Sequence, residues 1–328
     1  MNAGFAIWRN PGENPAGIRG DFQVAHLTDL TLQDGFILKP WEENSSCFYL
    51  DGVTVTDMDI LKSWVDSVKP CDKISPSVMS RLEWADYIRN IQQEILLGHL
   101  QKVVAARQII CATKVSLYQS FTEACKHYPD AFVSIVQHPQ YGIWLGATPE
   151  ILVQPNGQEW ETVSMAGTLL DDSAGWTGKE IEENTATQHF LELMLDKIGA
   201  QIIESGQADA VRAGTLRHLV RRYRFSLSSD KINQLIGQLH PTPAVGGFPR
   251  QKALSIIAHY EQHTRGLFAG FLGFYRMGKP HVWVNLRCCE WCGDHAILHA
   301  GAGINALSHA DAEWEETSAK MNTIGSCL

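Results

Sequence analysis

Two pairs of glutamates with identical spacing are candidate functional residues, because of their residue type and their positions. Glu180 and Glu183 lie three residues apart, and Glu313 and Glu316 repeat this interval near the C-terminus. Residues at this interval share one face of a helix. Each pair is therefore either a set of solvated acids near a helix N-terminus or an inward-facing pair of metal ligands. Spacing alone favours the solvated interpretation.

Lys102 and Glu150 are candidates for a base and an acid. Lys102 opens a β-rich stretch at 101–113, and alternation puts small apolar residues on its face. A lysine at a strand start commonly extends to solvent, whereas a desolvated lysine has the lowered pKa that a base requires. Without further evidence the first case is favoured. Glu150 follows Pro149 and precedes an apolar strand, so it is equally a rim charge or a buried acid with a raised pKa.

Glycine-rich turns and cationic side chains between His240 and Lys320 suggest a pocket for a small anion and a cation. Three turns of small residues, in PTPAVGG, RGLFAG and GAGI, separate strand-like runs, and glycine serves where the backbone must approach another group closely. Arg287 lies on a predicted strand at 281–291 and suits a bidentate carboxylate contact. Glu316 and Lys320 are i, i+4 partners, which means little at a surface and much beside a metal and a carboxylate.

Hydrophobic periodicity and turn residues predict the elements that position these groups. Helices are expected at 80–97, with Gly98 as the C-cap, and at 178–198 and 310–324, where capping boxes start at Thr177 and Ser308. The expected strands are a hairpin at 132–155 interrupted at 146–150, a strand ending in Gly167-Thr168 whose N–H groups could hold a carboxylate, an exposed strand pair within 210–234, and short edge strands in 1–80.

The composition is that of an ordinary globular protein. The chain has 328 residues, 45% hydrophobic and 19% charged, and a net charge of -9. No Lys/Arg block suggests nucleic acid as a partner, and no apolar run suggests a membrane span or a signal peptide. The eight cysteines lack a disulfide framework, so we expect a reducing, cytoplasmic location. Cys288, Cys289 and Cys292 lack a second matching pair for zinc and are interpreted as core and edge thiols.

A set of motifs in this order resembles the chorismate-utilising enzymes, and among them the isochorismate synthase branch. The resemblance covers roughly residues 80 to 325. It implies a single α+β domain of two stacked, mainly antiparallel sheets with helices outside, in which 1–80 supplies N-terminal strands and 81–328 forms the catalytic region. The motifs are KVVAAR (102–107), GATPEIL (146–152), AGT (166–168), KEIEEN (179–184), HPTPAVGGFP (240–249), RGLFAG (265–270), Arg287, GAGI (301–304) and EWEETSAK (313–320).

The resemblance also implies roles for individual residues and a dependence on Mg²⁺. Neutral Lys102 would take a proton from the water that attacks C2 of chorismate, and protonated Glu150 would donate to the departing C4 hydroxyl. Glu183 and Glu316 would ligate Mg²⁺, and Glu180 and Glu313 would hold the metal or its waters. The substrate carboxylates would be received by Arg287, Lys320, and the backbone at Gly167, Thr168, Gly301 and Gly303.

Particular residues distinguish branches of the family. Lys102 matches the base of water-adding members, and Ala244 stands where pyruvate-eliminating and amine-adding relatives tend to have threonine, so both favour isochorismate formation. The rival functions are salicylate formation, whose enzymes keep the lysine, amination, and non-catalytic chorismate binding. No obligatory glutaminase partner is expected, and menaquinone synthesis is the favoured pathway over siderophore synthesis. The metal helix is aligned on Glu183, with Asn184 where His is commoner, rather than on Glu182 or Gln188. His299 replaces a usual Phe or Tyr.

Overall fold

Strands dominate the computed structural model, which describes residues 3–29, 34–42, 45–69, 76–170 and 175–328. The strands of these ranges are β1 (Ala3–Arg9), β2 (Ala16–Asp21), β3 (Gln23–Ala25), β4 (Gly35–Lys39), β5 (Cys47–Asp51), β6 (Lys102–Ala112), β7 (Phe132–His138), β8 (Gly142–Thr148), β9 (Ile151–Asn156), β10 (Glu159–Leu169), β11 (Gln201–Ser205), β12 (Asp209–Ala213), β13 (Leu216–Ser226), β14 (Gly247–Phe248), β15 (Phe271–Arg276), β16 (Lys279–Val284), β17 (Cys288–Trp291) and β18 (His295–Ile304). The helices are α1 (Met58–Asp66), α2 (Arg81–Leu96), α3 (Leu117–His127), α4 (Gly178–Ile198), α5 (Ile232–Leu239), α6 (Arg250–Tyr260) and α7 (Ala310–Gly325).

The strands form two sheets that stack face to face. The first has the order β14-β6-β18-β17-β8-β7-β1-β2, and the second has the order β11-β13-β10-β9-β16-β15-β4-β5-β3, with β12 added beside β13. Aromatic side chains join the facing layers, since the rings of Phe132 on β7 and Trp283 on β16 stack at 4.1 Å. The α+β fold of two stacked antiparallel sheets predicted from the sequence is thereby confirmed. No helix of the described ranges is both long and apolar enough to cross a lipid bilayer.

The chain steps between the two sheets several times, and two of these steps lie next to each other. It leaves β8 through Pro149 and Glu150 to enter β9 in the second sheet, and it leaves β16 through 285–287 to enter β17 in the first. The expected single strand at 281–291 was therefore wrong. Arg287 has a φ of 49°, which a pleated strand cannot accommodate. The expected hairpin at 132–155 holds for β7 and β8, whereas β9 belongs to the other sheet.

Hydrogen bonds tie these two crossings together. The Thr148 hydroxyl donates to the Val284 carbonyl at 2.6 Å, and the Val284 N–H donates to the Glu150 carbonyl at 3.0 Å. The Ala147 N–H donates to the Arg287 carbonyl at 3.1 Å. Glu150 and Arg287 consequently lie side by side at the seam between the two sheets.

The predicted helices are found, with two changes in capping. α2 begins at a capping box in which the Ser80 N–H donates to Glu83 Oε2 at 2.8 Å. Its C-cap is Leu97 rather than Gly98, and Gly98 follows with a φ of 76°. α4 begins at Gly178, as expected from the box at Thr177. Ser308 does not cap α7, because His309 is the N-cap; its hydroxyl accepts the N–H of Asn305 at 3.2 Å instead.

A buried arginine holds together the segments that flank the seam. Arg265 donates through Nε and Nη2 to the two carboxylate oxygens of Glu261, both at 2.7 Å. Its guanidinium also donates to the Val104 carbonyl on β6 at 2.7 Å and to the Val245 carbonyl at 2.8 Å. Trp41 covers it, with the guanidinium carbon 4.2 Å from the ring centroid. The N-terminal strands and β6 are thus linked through one charge.

Glu261→Ala is expected to lower the free energy of unfolding by about 3–5 kcal/mol, because it leaves the Arg265 charge buried without its partner. Urea unfolding measures this loss. The matched control is Glu13→Ala, which breaks the half-exposed pair with Arg276 and should cost about 0–1 kcal/mol. Equal losses in the two variants would contradict the dependence on burial.

Candidate functional site

Three glutamates converge on one ammonium group between α4 and α7. Lys179 Nζ lies 3.1 Å from Glu313 Oε2, 3.3 Å from Glu316 Oε2 and 3.8 Å from Glu183 Oε2. All four side chains are largely buried. The acidic pairs therefore face inward, and the solvated interpretation favoured by spacing alone was wrong. Sequence reasoning did not identify Lys179 as a site residue, although its i, i+4 spacing to Glu183 was a signal for the contact.

Lys102 is a desolvated lysine rather than one that extends to solvent. Its side chain is 2% exposed, and Nζ lies 3.0 Å from Glu183 Oε1. Burial lowers the pKa of Lys102, and the Glu183 carboxylate opposes this shift in part. Gly303 on β18 leaves room for the pair, because a Cβ there would lie 2.1 Å from Glu183 Oε1 and 2.8 Å from Lys102 Cε. Any side chain at Gly303 would displace the carboxylate.

Lys320 approaches the same cluster from α7. Its Nζ lies 2.6 Å from Glu316 Oε1 and 2.9 Å from the Gly301 carbonyl. Burial opposes ionisation of Glu316, yet Lys320 and Lys179 together lower its pKa to about 2. Burial and the Glu316 charge raise the pKa of Glu313 to about 7. The two acids of one pair thus carry different charge near neutral pH.

Glu150 is a buried acid rather than a rim charge. It is 3% exposed, and burial raises its pKa to about 7 against the opposing charges of Lys102 and Arg287. Its position at the crossing from β8 to β9 fixes the carboxyl group in the wall of a cavity at the seam. The group can therefore carry a proton at neutral pH, as a general acid must.

A neutral histidine joins Arg287 to Gly167 and Thr168 near the end of β10. Arg287 Nη2 lies 2.8 Å from His218 Nε2, and His218 Nδ1 lies 3.2 Å from the Thr168 hydroxyl and 3.3 Å from the Gly167 carbonyl. Burial and the Arg287 charge lower the pKa of His218, so it accepts from the guanidinium through Nε2. Sequence reasoning missed His218, because it lies in a basic stretch that reads as an exposed strand pair.

Most of the predicted site residues line a single cavity at the seam. Lys102 and Gly303 lie behind Glu183, and Lys102 and Glu183 also line a second opening together with Asn305. The wall of the cavity carries cationic groups, an acid that can be protonated at neutral pH, and exposed backbone. The predicted residues that line it are Glu150, Gly167, Thr168, Glu183, Ala244, Arg287, Gly301 and Lys320.

The contacts of the residues beside Glu183 show which side chain of α4 faces the cluster. Asn184 donates its amide N–H groups to the carbonyls of Ala166 at 3.1 Å and Leu219 at 2.9 Å, which fixes α4 against β10 and β13. Glu182 consequently points outward and is exposed, whereas Gln188 accepts from Arg221 at 2.8 Å.

The carboxylates are chemically suited to a magnesium ion, with one correction to the predicted set. Buried oxygen ligands are what Mg²⁺ prefers, and Glu183 Oε2 has no hydrogen-bond partner among the described residues. Within those residues, no group of three or more His, Cys, Asp or Glu is arranged to hold a metal. The Lys179 ammonium lies among the oxygens of Glu183, Glu313 and Glu316. Glu180 does not fit as a ligand, because its Oε2 accepts the Thr177 N–H at 2.9 Å and the hydroxyl at 2.6 Å.

Comparison with known proteins adds an independent line of evidence. The family model described as chorismate binding enzyme matches residues 60–328. The chain is 30% identical over 196 residues to isochorismate synthase EntC of Escherichia coli (strain K12), covering 56% of this chain and 50% of that protein. It is 30% identical over 245 residues to the vibriobactin-specific isochorismate synthase of Vibrio cholerae, covering 69% and 61%. The chain thus spans roughly half to three-fifths of the curated relatives it matches.

Solved structures share the fold at lower sequence identity. The structure of MenF, the menaquinone-specific isochorismate synthase from Escherichia coli, superposes with a TM-score of 0.79 at 21% identity. The alignment covers 100% of this chain and 89% of that one. The similarity establishes a common architecture of two stacked sheets.

Lys179→Met is expected to destabilise the protein in a pH-dependent way. The change leaves three buried carboxylates without this ammonium, which should cost about 3–5 kcal/mol at about pH 8. An acid whose pKa is raised in the folded state, as for Glu313 at about 7, lowers the stability of the protein as the pH rises. The deficit should therefore shrink as the pH falls toward about 5, where the carboxylates bind protons.

Urea unfolding of wild type and variant at both pH values measures the difference. Lys62→Met, at the exposed pair with Asp66, is the matched control and should leave stability nearly unchanged at either pH. A Lys179→Met deficit of the same size at both pH values would contradict a cluster of mutually repelling carboxylates.

Proposed function

We infer the function of this chain from its family, because it belongs to the chorismate binding enzymes. We propose that it is an isochorismate synthase, which converts chorismate reversibly to isochorismate. The observation that carries this proposal is a buried lysine with a lowered pKa and a buried glutamic acid with a raised pKa at one seam. A reaction that adds water at one carbon and expels a hydroxyl at another needs such a base and such an acid.

The proposed reaction uses Lys102 and Glu150 as its two proton-transfer groups. Lys102, neutral, accepts a proton from water as the water oxygen bonds to C2 of the chorismate ring. The ring double bonds shift, and the C4–O bond breaks while Glu150 donates its proton to the leaving oxygen, which departs as water. The proton gained by Lys102 balances the one lost by Glu150. The charge of Glu183 at 3.0 Å stabilises the ammonium that forms.

Cationic and backbone groups of the cavity would bind the two substrate carboxylates. Arg287 is buried and retains Nε without a hydrogen-bond partner among the described residues, so a carboxylate oxygen would satisfy it. Lys320 supplies a second positive charge. The remaining contacts would come from small residues of the cavity wall that leave backbone accessible, and these are Gly167, Thr168, Ala244 and Gly301. Gly303 lies behind Glu183 and would act by leaving room for its carboxylate.

Mg²⁺ is the proposed cofactor, held by Glu183 and Glu316 with Glu313 beside them. Bound there, the ion would neutralise and orient the ring carboxylate of the substrate. Because the Lys179 ammonium lies among these oxygens, its side chain would have to withdraw on metal binding. The unpartnered oxygen of Glu183 supports this assignment. We further propose menaquinone synthesis as the pathway, since nothing in the sequence suggests a specialised secreted product.

Incubation with chorismate followed by chromatography tests the activity. We expect a mixture of chorismate and isochorismate, without pyruvate, when Mg²⁺ is present, and no conversion with a chelator. Lys102→Ala should lower kcat by about 10²- to 10⁴-fold while chorismate binding, measured by calorimetry, persists. Pyruvate with salicylate would move the protein to the lyase branch, and an unchanged Lys102→Ala enzyme would exclude the proposed base.

The pH dependence of kcat/KM tests the proposed acid. Glu150 must be protonated, and its pKa is about 7, so kcat/KM should fall as the pH rises above about 7. The rate should also fall where Lys102 is protonated, and burial moves that limit to lower pH by lowering the pKa of Lys102. Glu313 has a similar pKa, so Glu313→Gln is the control and should keep the alkaline limb. Loss of that limb in Glu313→Gln would assign it to the metal cluster and contradict the role of Glu150.

A further inference from the structure

A buried histidine in the cavity wall has polar atoms that no protein group uses. His299 lies on β18, in register with Gln108 of β6 and Cys288 of β17, and is 2% exposed. Neither ring nitrogen has a hydrogen-bond partner among the described residues. The side chain lines the same cavity as Glu150. A buried polar group without a partner is costly, so its retention at this place calls for an explanation.

Packing does not supply that explanation. The His299 ring lies in an aromatic slot, 5.0 Å from the ring of Trp144 and 5.5 Å from that of Phe268. A phenyl ring would make the same contacts without unpaired nitrogens. The nearest imidazole, His263, has its centroid 6.4 Å away, which is a ring contact and not a hydrogen bond. Both nitrogens are therefore unused by the described protein groups, in a side chain that lines the cavity.

The charge state of the ring indicates what kind of group it would bind. Burial lowers the pKa of His299, and the charges of His263 and Arg265 lower it further. A neutral imidazole offers one N–H donor and one acceptor nitrogen. A hydroxyl group can pair with either nitrogen, as donor or as acceptor, whereas a carboxylate can only accept from the N–H. The cavity already has Arg287 and Lys320 for carboxylates.

We propose that His299 is a substrate-binding residue whose imidazole forms a hydrogen bond with a ring hydroxyl of the bound substrate. The proposal rests on the proposed function, because it takes a cyclic hydroxy dicarboxylic acid as the ligand. His299 thereby orients the hydroxyl-bearing side of the ring toward Glu150, and one of its ring nitrogens gains a partner only in the complex.

Two measurements with opposite expected signs test this role. In a Lys102→Ala background, where turnover is blocked, His299→Phe should weaken chorismate binding by about 5- to 50-fold in calorimetry, because the hydroxyl loses its partner. The same change should leave the melting temperature unchanged or raise it, since it removes unpaired buried nitrogens. His299→Gln keeps a donor and an acceptor and should recover part of the affinity.

The control is His138→Phe, which makes the same change at a buried histidine packed among Phe22 and Phe48 outside this cavity. It should leave chorismate binding within about twofold of the parent, within the range of a surface change. Binding by His299→Phe equal to the parent would overturn the proposal and leave the proposed function intact. Failure of the Lys102→Ala parent itself to bind chorismate would overturn both.

Discussion

Buried charges that must be paired fix the geometry of this protein. Lys102, Lys179 and Lys320 lie largely buried beside Glu183 and Glu316, and each Nζ is within 4 Å of a carboxylate oxygen. An unpaired charge at such a place would be strongly unfavourable. Because the partners come from β6, α4 and α7, these elements have one acceptable relative arrangement. The sheets and helices around the seam hold this cluster of paired side chains in place.

The backbone makes room for this cluster by omitting side chains. Gly303 lies where a Cβ would overlap the Glu183 carboxylate, and Gly167, with a φ of 80°, lies where a Cβ would be 3.0 Å from the Cβ of Glu180. Close packing of α4 against β10 and β18 therefore depends on glycine at both strands. The same closeness exposes peptide groups to the cavity, so one feature serves both packing and ligand recognition.

Sequence patterns predicted the parts of this arrangement that depend on neighbours in the chain. The i, i+3 spacing correctly put Glu313 and Glu316 on one face of a helix, and capping residues gave the start of α4. Local patterns do not show whether a helix face points to solvent or to the interior, so the solvated interpretation was preferred. His218 and Lys179 were missed because their partners are distant in sequence or were assigned to a metal. The prediction of a single strand at 281–291 was wrong at Arg287, where the chain steps between the sheets with a positive φ.

Burial shifts the pKa values of the proposed base and the proposed acid toward each other. Desolvation disfavours the charged form of any group, so it lowers the pKa of Lys102 and raises that of Glu150. No separate device is needed for each residue. Nearby charges then limit both shifts. Glu183 partly offsets the lowering of the Lys102 pKa, and Arg287 partly offsets the raising of the Glu150 pKa. The dryness of the seam, which the stacked sheets impose, is therefore the property from which the proposed chemistry follows.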